Sequence, residues 1–166
     1  PSLIHLDAHS DTGDVGDELN HGTMFLRAAR EGVVDPTTSA QIGMRTPNES
    51  HGFNVIHADE MFRLGIDATV DRIREVVGGR AAYLTVDIDF LDPAYAPGTG
   101  TPVVGGPTTW QARQILFGLR GLDVVGADLV EVAPAYDPSG QITALAGATL
   151  AHDELHLLAE ARDRRR

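Results

Sequence analysis

The fold is decided by the stretch Leu3-Ile4-His5-Leu6-Asp7-Ala8-His9-Ser10-Asp11, in which a short apolar run ends in a group of polar side chains. A second stretch, residues 81–86 followed by Asp87-Ile88-Asp89, has the same form. Apolar runs of this length that end in polar residues are typical of buried strands in a parallel sheet. We therefore predict two such strands, with their acidic ends at one rim of the sheet, where ligands of parallel sheets bind.

Strand and helix patterns alternate along the whole chain, which predicts an α/β fold built from βα units around a mostly parallel sheet. We expect Asp67 to cap one helix, and Thr108 and Gln111 to form a capping box at the next. Leu145, Leu150, Leu155 and Leu158 are candidates for the buried side of the last helix. The predicted strands are 3–6, 39–44, 54–57, 81–86 and 122–132, and the predicted helices are 23–30, 67–77, 108–119 and 142–162.

Length and composition set the scale of the molecule. The chain has 166 residues, of which 42% are hydrophobic, and this is enough for one domain over residues 1–166. It opens at Pro1 with a strand already under way, so we expect it to be the C-terminal part of something larger. No leader sequence and no long apolar span is evident, which favours a cytoplasmic protein without a membrane partner.

Charge and cysteine content narrow the function. The formal net charge is −11, from 13 basic and 24 acidic side chains, which argues against nucleic acid as a partner and favours a small cationic substrate. The sequence contains no cysteine. Carboxylates and imidazoles are therefore the strong metal ligands available to it.

The acidic strand ends have the residue types of a two-metal site. In an extended segment, residues two and four apart share one side, so Asp7, His9 and Asp11 could converge, as could Asp87 with Asp89. Four carboxylates offset most of the charge of two divalent ions, and an oxygen-rich set with one imidazole favours manganese over structural zinc. Two such ions about 3.5 to 4 Å apart can deprotonate a shared water. The alternative is that these aspartates only end strands and cap turns.

Six blocks of sequence cover nearly the whole chain: 7–11 (DAHSD), 20–25 (NHGTMF), 41–45 (QIGMR), 83–93 (YLTVDIDFLDP), 96–102 (APGTGTP) and 131–137 (EVAPAYD). In order and spacing they resemble the ureohydrolases, the family of arginase and agmatinase. The resemblance implies a three-layer α/β/α sandwich, of which this chain is the C-terminal part of the catalytic domain. It also implies two Mn²⁺ ions, hydrolysis of a guanidinium group, and assembly of the complete protein as trimers or hexamers.

Roles are carried over from the family one position at a time. The resemblance makes Asp7 and Asp87 bridging metal ligands, with His9, Asp11 and Asp89 completing their respective ions. It makes His21 the acid/base histidine and Glu131 the carboxylate that binds the guanidinium group. Thr101 matches a polar residue that lines the same pocket, although a turn role among its glycine and proline neighbours is an equal alternative.

Several alternatives stay open from the sequence. The NHGTMF and EVAPAYD blocks favour agmatine as substrate, giving putrescine and urea, while guanidinobutyrase- and arginase-type activities are alternatives. The family's remaining metal ligand, a histidine in an upstream Gly-Gly-Asp-His block, is outside this chain, so an inactive metal-binding fragment is a further hypothesis. A single-zinc deacetylase on a related fold is a third hypothesis. The presence of both Asp87 and Asp89 counts against it. We interpret His5, His51 and His57 as structural, and the pair His152 and His156 as a helix surface.

Overall fold

The computed structural model describes residues 1–16, 19–47 and 49–166 of the chain. Its sheet has five strands in the order β3-β2-β1-β4-β5, and each neighbouring pair is parallel. The strands are β1 (Ser2–Leu6), β2 (Ala40–Met44), β3 (Asn54–His57), β4 (Ala81–Asp87) and β5 (Asp123–Val130). The predicted strands agree with these within two residues.

The order of the strands places a crevice between β1 and β4. From β1 the chain runs outward through β2 to β3, and β4 then pairs with the other side of β1. In open parallel sheets, such a reversal leaves a crevice at the carboxyl ends of the two central strands, and ligands bind there. Both acidic motifs follow these two strands, so the topology brings them side by side.

Helices cover both faces of the sheet, which makes the fold an α/β/α sandwich. They are α1 (Met24–Arg30), α2 (Ala58–Leu64), α3 (Ile66–Val77), α4 (Thr109–Gly118) and α5 (Ile142–Arg164). On one face, Leu3 packs with Phe53 and with side chains of α1. On the other face, Ile4 and Leu6 belong to the larger core, to which α2, α3, α4 and α5 contribute. None of the helices described is long and apolar enough to cross a membrane.

A local sequence signal explains the start of α4 but not that of α3. The capping box of Thr108 and Gln111 is present at the start of α4. Asp67 does not cap α3, because the helix begins earlier, at Ile66 after Gly65, and Asp67 lies in its first turn, where a negative charge interacts well with the helix dipole. Helix α2 was not predicted, since it follows β3 directly, with no turn residues between the two elements.

The buried side of α5 differs from the prediction. Leu150 and Leu157 are buried, whereas Leu145 and Leu155 are 62% and 64% exposed. Asp153 and Glu154 are buried instead. Asp153 accepts two hydrogen bonds from Arg113 of α4, which offsets the cost of burying its charge. A leucine count alone could not locate this face, because two acidic residues of the helix point inward.

Candidate metal centre

The first group of site residues lies at the carboxyl end of β1. The strand ends at Leu6, and the chain then turns so that the Asp7 carboxylate accepts a hydrogen bond of 2.6 Å from the His9 N–H. The other Asp7 oxygen lies 2.7 Å from Nε2 of His5, which is itself buried. Asp11 has a left-handed backbone (φ 53°), a conformation that aspartate tolerates better than most residues. These turns direct the side chains of the loop toward β4.

The second group follows β4. Asp87 is the last residue of the strand, and its carboxylate accepts a hydrogen bond of 2.8 Å from the N–H of Asp89, which lies in a short 3₁₀ turn. One oxygen of Asp89 accepts a hydrogen bond of 3.1 Å from the Ala8 N–H, and the other lies 3.0 Å from Nδ1 of His9. The two loops are therefore joined through the Asp89 side chain.

The two groups bring their ligand atoms into one cluster. Single donor atoms of Asp7, His9 and Asp89 lie within 4.8 Å of one another, and so do those of His5, Asp7 and Asp11. The extended geometry expected from the sequence is wrong, because both motifs leave their strands and turn. Convergence comes from these turns and from the crevice between β1 and β4.

The electrostatics of the cluster show an excess of negative charge. Burial, with Asp7 and Asp89 nearby, raises the pKa of Asp87 to about 9. Burial, together with the charge of Asp7, raises the pKa of Asp11 to about 7. Burial also disfavours the charged form of Asp7, but hydrogen bonds from His5 and His9 outweigh it and lower the pKa of that carboxyl. Hydrogen bonds to Asp7 and Asp89 raise the pKa of His9 to about 10.

This imbalance fits a metal pair. Among the residues described, the ion-pair partners of these carboxylates are the imidazoles of His5 and His9. Carboxylates that remain close together and unbalanced gain stability from divalent cations, and oxygen with imidazole is a suitable donor set. Asp7, His9, Asp11, Asp87 and Asp89 could hold such ions.

A cavity of about 540 Å³ opens beside the cluster. His9, Asp11 and Asp87 line it, together with the three other residues predicted for the site, His21, Thr101 and Glu131. Glu131 directly follows β5 and has a left-handed backbone (φ 65°), which is strained for a residue other than glycine or asparagine. Such strain persists where the surrounding structure holds a side chain in place, here at the cavity wall.

Comparison with known proteins agrees with this arrangement. The sequence profile described as "Arginase family" matches residues 1–156. The chain belongs to the arginase family. It is 55% identical over 159 residues to an agmatinase of Proteus mirabilis, a match that covers 95% of this chain and 52% of that protein. It spans about half the length of the curated relatives that it matches.

Solved structures of the arginase family have the same fold. The chain superimposes on a hypothetical agmatinase from Burkholderia thailandensis with a TM-score of 0.92 and 54% identity, covering 99% of this chain and 52% of that one. For the proclavaminate amidino hydrolase of Streptomyces clavuligerus the TM-score is 0.91, with 41% identity and 96% and 56% coverage. The predicted three-layer fold is confirmed.

Among the histidines that were given no catalytic role, one contacts a candidate metal ligand. His152 and His156 are exposed on α5. His5 is the exception, because it contacts Asp7 directly, and Gln41 Nε2 lies 3.2 Å from its Nδ1. The sequence could have predicted this contact, because His5 lies two residues before Asp7 and so on the same side of the strand.

Proposed function

We propose that this chain carries the catalytic residues for hydrolysis of a guanidinium C–N bond with two Mn²⁺ ions, and that its substrate is agmatine, which gives putrescine and urea. The proposal is supported most directly by one observation. Donor atoms of Asp7, His9, Asp11 and Asp89 fall in two overlapping clusters that share Asp7, and Asp87 lines the adjoining cavity together with His21, Thr101 and Glu131. The names of the relatives supply the reaction class.

Manganese is the ion that the donor set favours. Asp7, His9, Asp11, Asp87 and Asp89 would hold it, with four carboxylates and one imidazole. When bound, paired divalent ions supply an acidified water and stabilise developing negative charge. The hydrogen bonds that His5 and the backbone N–H groups of His9 and Asp89 make to these carboxylates keep the carboxylates oriented.

Glu131 and His21 would act on the substrate itself. The Glu131 carboxylate can accept paired N–H groups of a planar guanidinium cation, and these charge-assisted bonds would fix the orientation of the cation. His21 lines the same cavity and is exposed, so it can exchange protons with solvent. An imidazole at this position can act as a general acid, and His21 would hand a proton to the departing amine.

The cavity wall favours an amine-tailed substrate over an amino acid. No arginine or lysine stands among the described residues that line it, so these residues offer no fixed cation to an α-carboxylate. Beyond the first motif, Asp14 accepts two hydrogen bonds from Arg30, so the charge of this arginine is paired. We infer a preference for agmatine over arginine and over guanidinobutyrate.

The test is urea release from the Mn²⁺-loaded chain with agmatine, arginine and guanidinobutyrate as substrates. We expect agmatine to give the highest kcat/KM, and a preference for arginine would end the assignment. Glu131→Gln should raise the KM for agmatine, because it removes the charge that pairs with the guanidinium group. Glu154→Gln is the matched control, since Glu154 lines a separate cavity and should leave KM unchanged.

A second candidate is a metal-binding piece whose activity needs more of the protein. It is favoured by the observation that the chain spans about half the length of its curated relatives. Mn²⁺ titration separates the two candidates. Two tightly bound ions with urea release support the enzyme, and one weakly bound ion without turnover supports the fragment. For the complete protein we propose a cytoplasmic homo-oligomer.

A further inference from the structure

Arg45 holds an unusual position directly after β2. Its partly buried guanidinium group donates hydrogen bonds to five backbone carbonyls, with the two N–H groups of Nη2 shared among three of them, and no carboxylate is among these acceptors. The shortest run from Nη2 to the carbonyl oxygens of Asp89 (2.6 Å) and Val103 (2.8 Å). The others reach Gly43, Phe90 and Leu91.

The carbonyls that Arg45 binds belong to two segments with separate roles. Asp89, Phe90 and Leu91 form the turn that carries the candidate ligand Asp89. Val103 lies in the loop that carries Thr101, on the wall of the substrate cavity. The two segments also meet directly, because the Thr101 hydroxyl donates a hydrogen bond of 3.2 Å to the second oxygen of Asp89.

The far end of the same loop is held by Asp92. Its carboxylate accepts hydrogen bonds from the backbone N–H groups of Gly105 (2.7 Å) and Gly106 (3.1 Å). A side chain at Gly106 would not fit, since its Cβ would lie 2.6 Å from Nη2 of Arg45. The loop therefore rests directly on the guanidinium group, and glycine allows this close approach.

Only arginine has the geometry for this arrangement. Its planar fork presents five N–H donors in fixed directions, whereas the lysine ammonium group is a single point with three donors on a flexible stem. A lysine at this position has three donors for five carbonyls and ends one bond short of the Nη atoms, so at least two of the carbonyls would lose their donor. Backbone carbonyls left buried without a donor destabilise the segment that carries them.

We propose that Arg45 is a positioning residue that couples the Asp89 turn to the Thr101 loop. One side chain then sets both the placement of a metal ligand and the wall that faces the substrate. The coupling itself concerns backbone segments. It rests on the proposed function only for the identity of the ion and of the substrate.

The test compares Arg45→Lys with Arg74→Lys in the full 166-residue chain. Arg74 is a matched control, because it also donates to two backbone carbonyls, those of Gly118 and Arg120, between α3 and the end of α4. Backbone amide hydrogen exchange is measured at Gly105 and Gly106, and Mn²⁺ affinity by calorimetry. We expect Arg45→Lys to speed exchange at both glycines and to weaken Mn²⁺ binding, each by about tenfold, as for other groups that orient ligands.

A control on the loop side covers the case in which Arg45→Lys does not fold. Asp92→Asn keeps the size of the side chain and weakens its acceptance from Gly105 and Gly106. It should speed their exchange and weaken Mn²⁺ binding in the same direction, by a smaller factor. Unchanged exchange and affinity in a folded Arg45→Lys chain would overturn the coupling, as would equal changes in Arg74→Lys.

Failure of the coupling is distinct from failure of the proposed function. Hydrogen exchange requires neither a substrate nor turnover. If the wild-type chain binds Mn²⁺ and releases no urea from any guanidino compound, the substrate proposal fails while the exchange result still decides the role of Arg45. If agmatine is hydrolysed and the exchange of Arg45→Lys equals that of the wild type, the coupling alone is wrong.

Discussion

Two groups of buried or half-buried acids lie along this sheet, and they differ in the side chains that face them. The first comprises Asp7, Asp11, Asp87 and Asp89 at the ends of β1 and β4. The second comprises Asp128 of β5 and Glu154 of α5, which line a separate cavity of about 450 Å³. Burial raises the pKa of an acid in each group, to about 9 for Asp87 and to about 8 for Glu154.

The hydrogen-bond partners separate the two groups. Asp128 accepts from the hydroxyls of Thr85 (2.6 Å) and Tyr83 (2.7 Å), while Oε1 of Glu154 has no partner among the residues described. The first group has imidazoles and several convergent carboxylates instead. A raised pKa therefore marks a buried acid without a counter-charge, and convergence of ligands is what indicates a metal site.

The difference between the two acid groups is tested most strongly by removing one charged side chain from each. Asp7→Asn should weaken Mn²⁺ binding by at least about 100-fold, because it removes a charged ligand at the centre of the cluster. Asp128→Asn should leave the affinity unchanged. Calorimetric titration of both folded variants measures this, and equal losses would show that net charge, not the ligand set, controls binding.

A smaller effect is expected when a donor to a ligand is removed. His5→Phe deprives Asp7 of its hydrogen bond from Nε2 and should weaken Mn²⁺ binding by about 10- to 100-fold. His5→Gln keeps an N–H donor and should recover part of the affinity. The same titration measures both variants. Should His5→Phe bind Mn²⁺ as the wild type does, His5 is structural, as its sequence context first indicated.

The parts of the fold that follow from local patterns were predictable from the sequence. All five strands, the capping box at Thr108 and the placement of both acidic motifs at strand ends were expected. Helix α2 was missed because it follows β3 with no intervening residue, so no turn signal separates the two elements in the sequence. The inward face of α5 was misplaced, since Asp153 and Glu154 are buried through tertiary contacts that no leucine pattern encodes.

The sequence named the candidate residues that the structure gathers around the cavity, but it did not predict their geometry. Sequence reasoning named every residue that lines the cavity with a proposed role, yet assigned Asp7, His9 and Asp11 to an extended segment. The turn at Asp11 depends on a left-handed backbone that period-two reasoning cannot see. Arg45 ends the QIGMR block, but the sequence did not indicate its role, because the carbonyls of Asp89 and Val103 that it binds are distant in sequence.

The second acid group, Asp128 and Glu154, should make the free energy of unfolding depend on pH. The pKa of Glu154 rises from 4.5 to about 8 on folding, through burial and the charge of Asp128. Between these values the folded chain keeps a proton that the unfolded chain has lost, so this residue lowers stability as pH rises from 4.5 to 8.

Glu154→Gln removes that dependence. It should raise the free energy of unfolding relative to the wild type by about 1 to 2 kcal/mol at pH 8, allowing for water that enters the open cavity, and by almost nothing at pH 4. Urea denaturation at both pH values measures the difference. An equal effect at the two pH values would mean that Glu154 is ionised in the folded chain at pH 8. Glu154 would then not share the raised pKa of Asp87.

The smallest expected effect concerns the link between the two groups. Tyr83, Thr85 and Asp87 lie at alternate positions of β4 and so on one side of it. Tyr83→Phe removes a hydrogen bond to Asp128 from a partly exposed hydroxyl and should cost about 0.5 to 1 kcal/mol of unfolding free energy. Tyr95→Phe is the control, because the described residues supply no hydrogen bond to its hydroxyl.

Mn²⁺ affinity decides whether the groups are independent. Tyr83→Phe should leave it unchanged, since Asp128 keeps the hydrogen bond from Thr85, and Thr85 separates Tyr83 from Asp87 along the strand. Thr85 is also the register partner of His5, which contacts Asp7. A loss of Mn²⁺ affinity in Tyr83→Phe would therefore mean that a shift at Asp128 reaches the metal ligands through Thr85, and the two acid groups would have to be treated as one network.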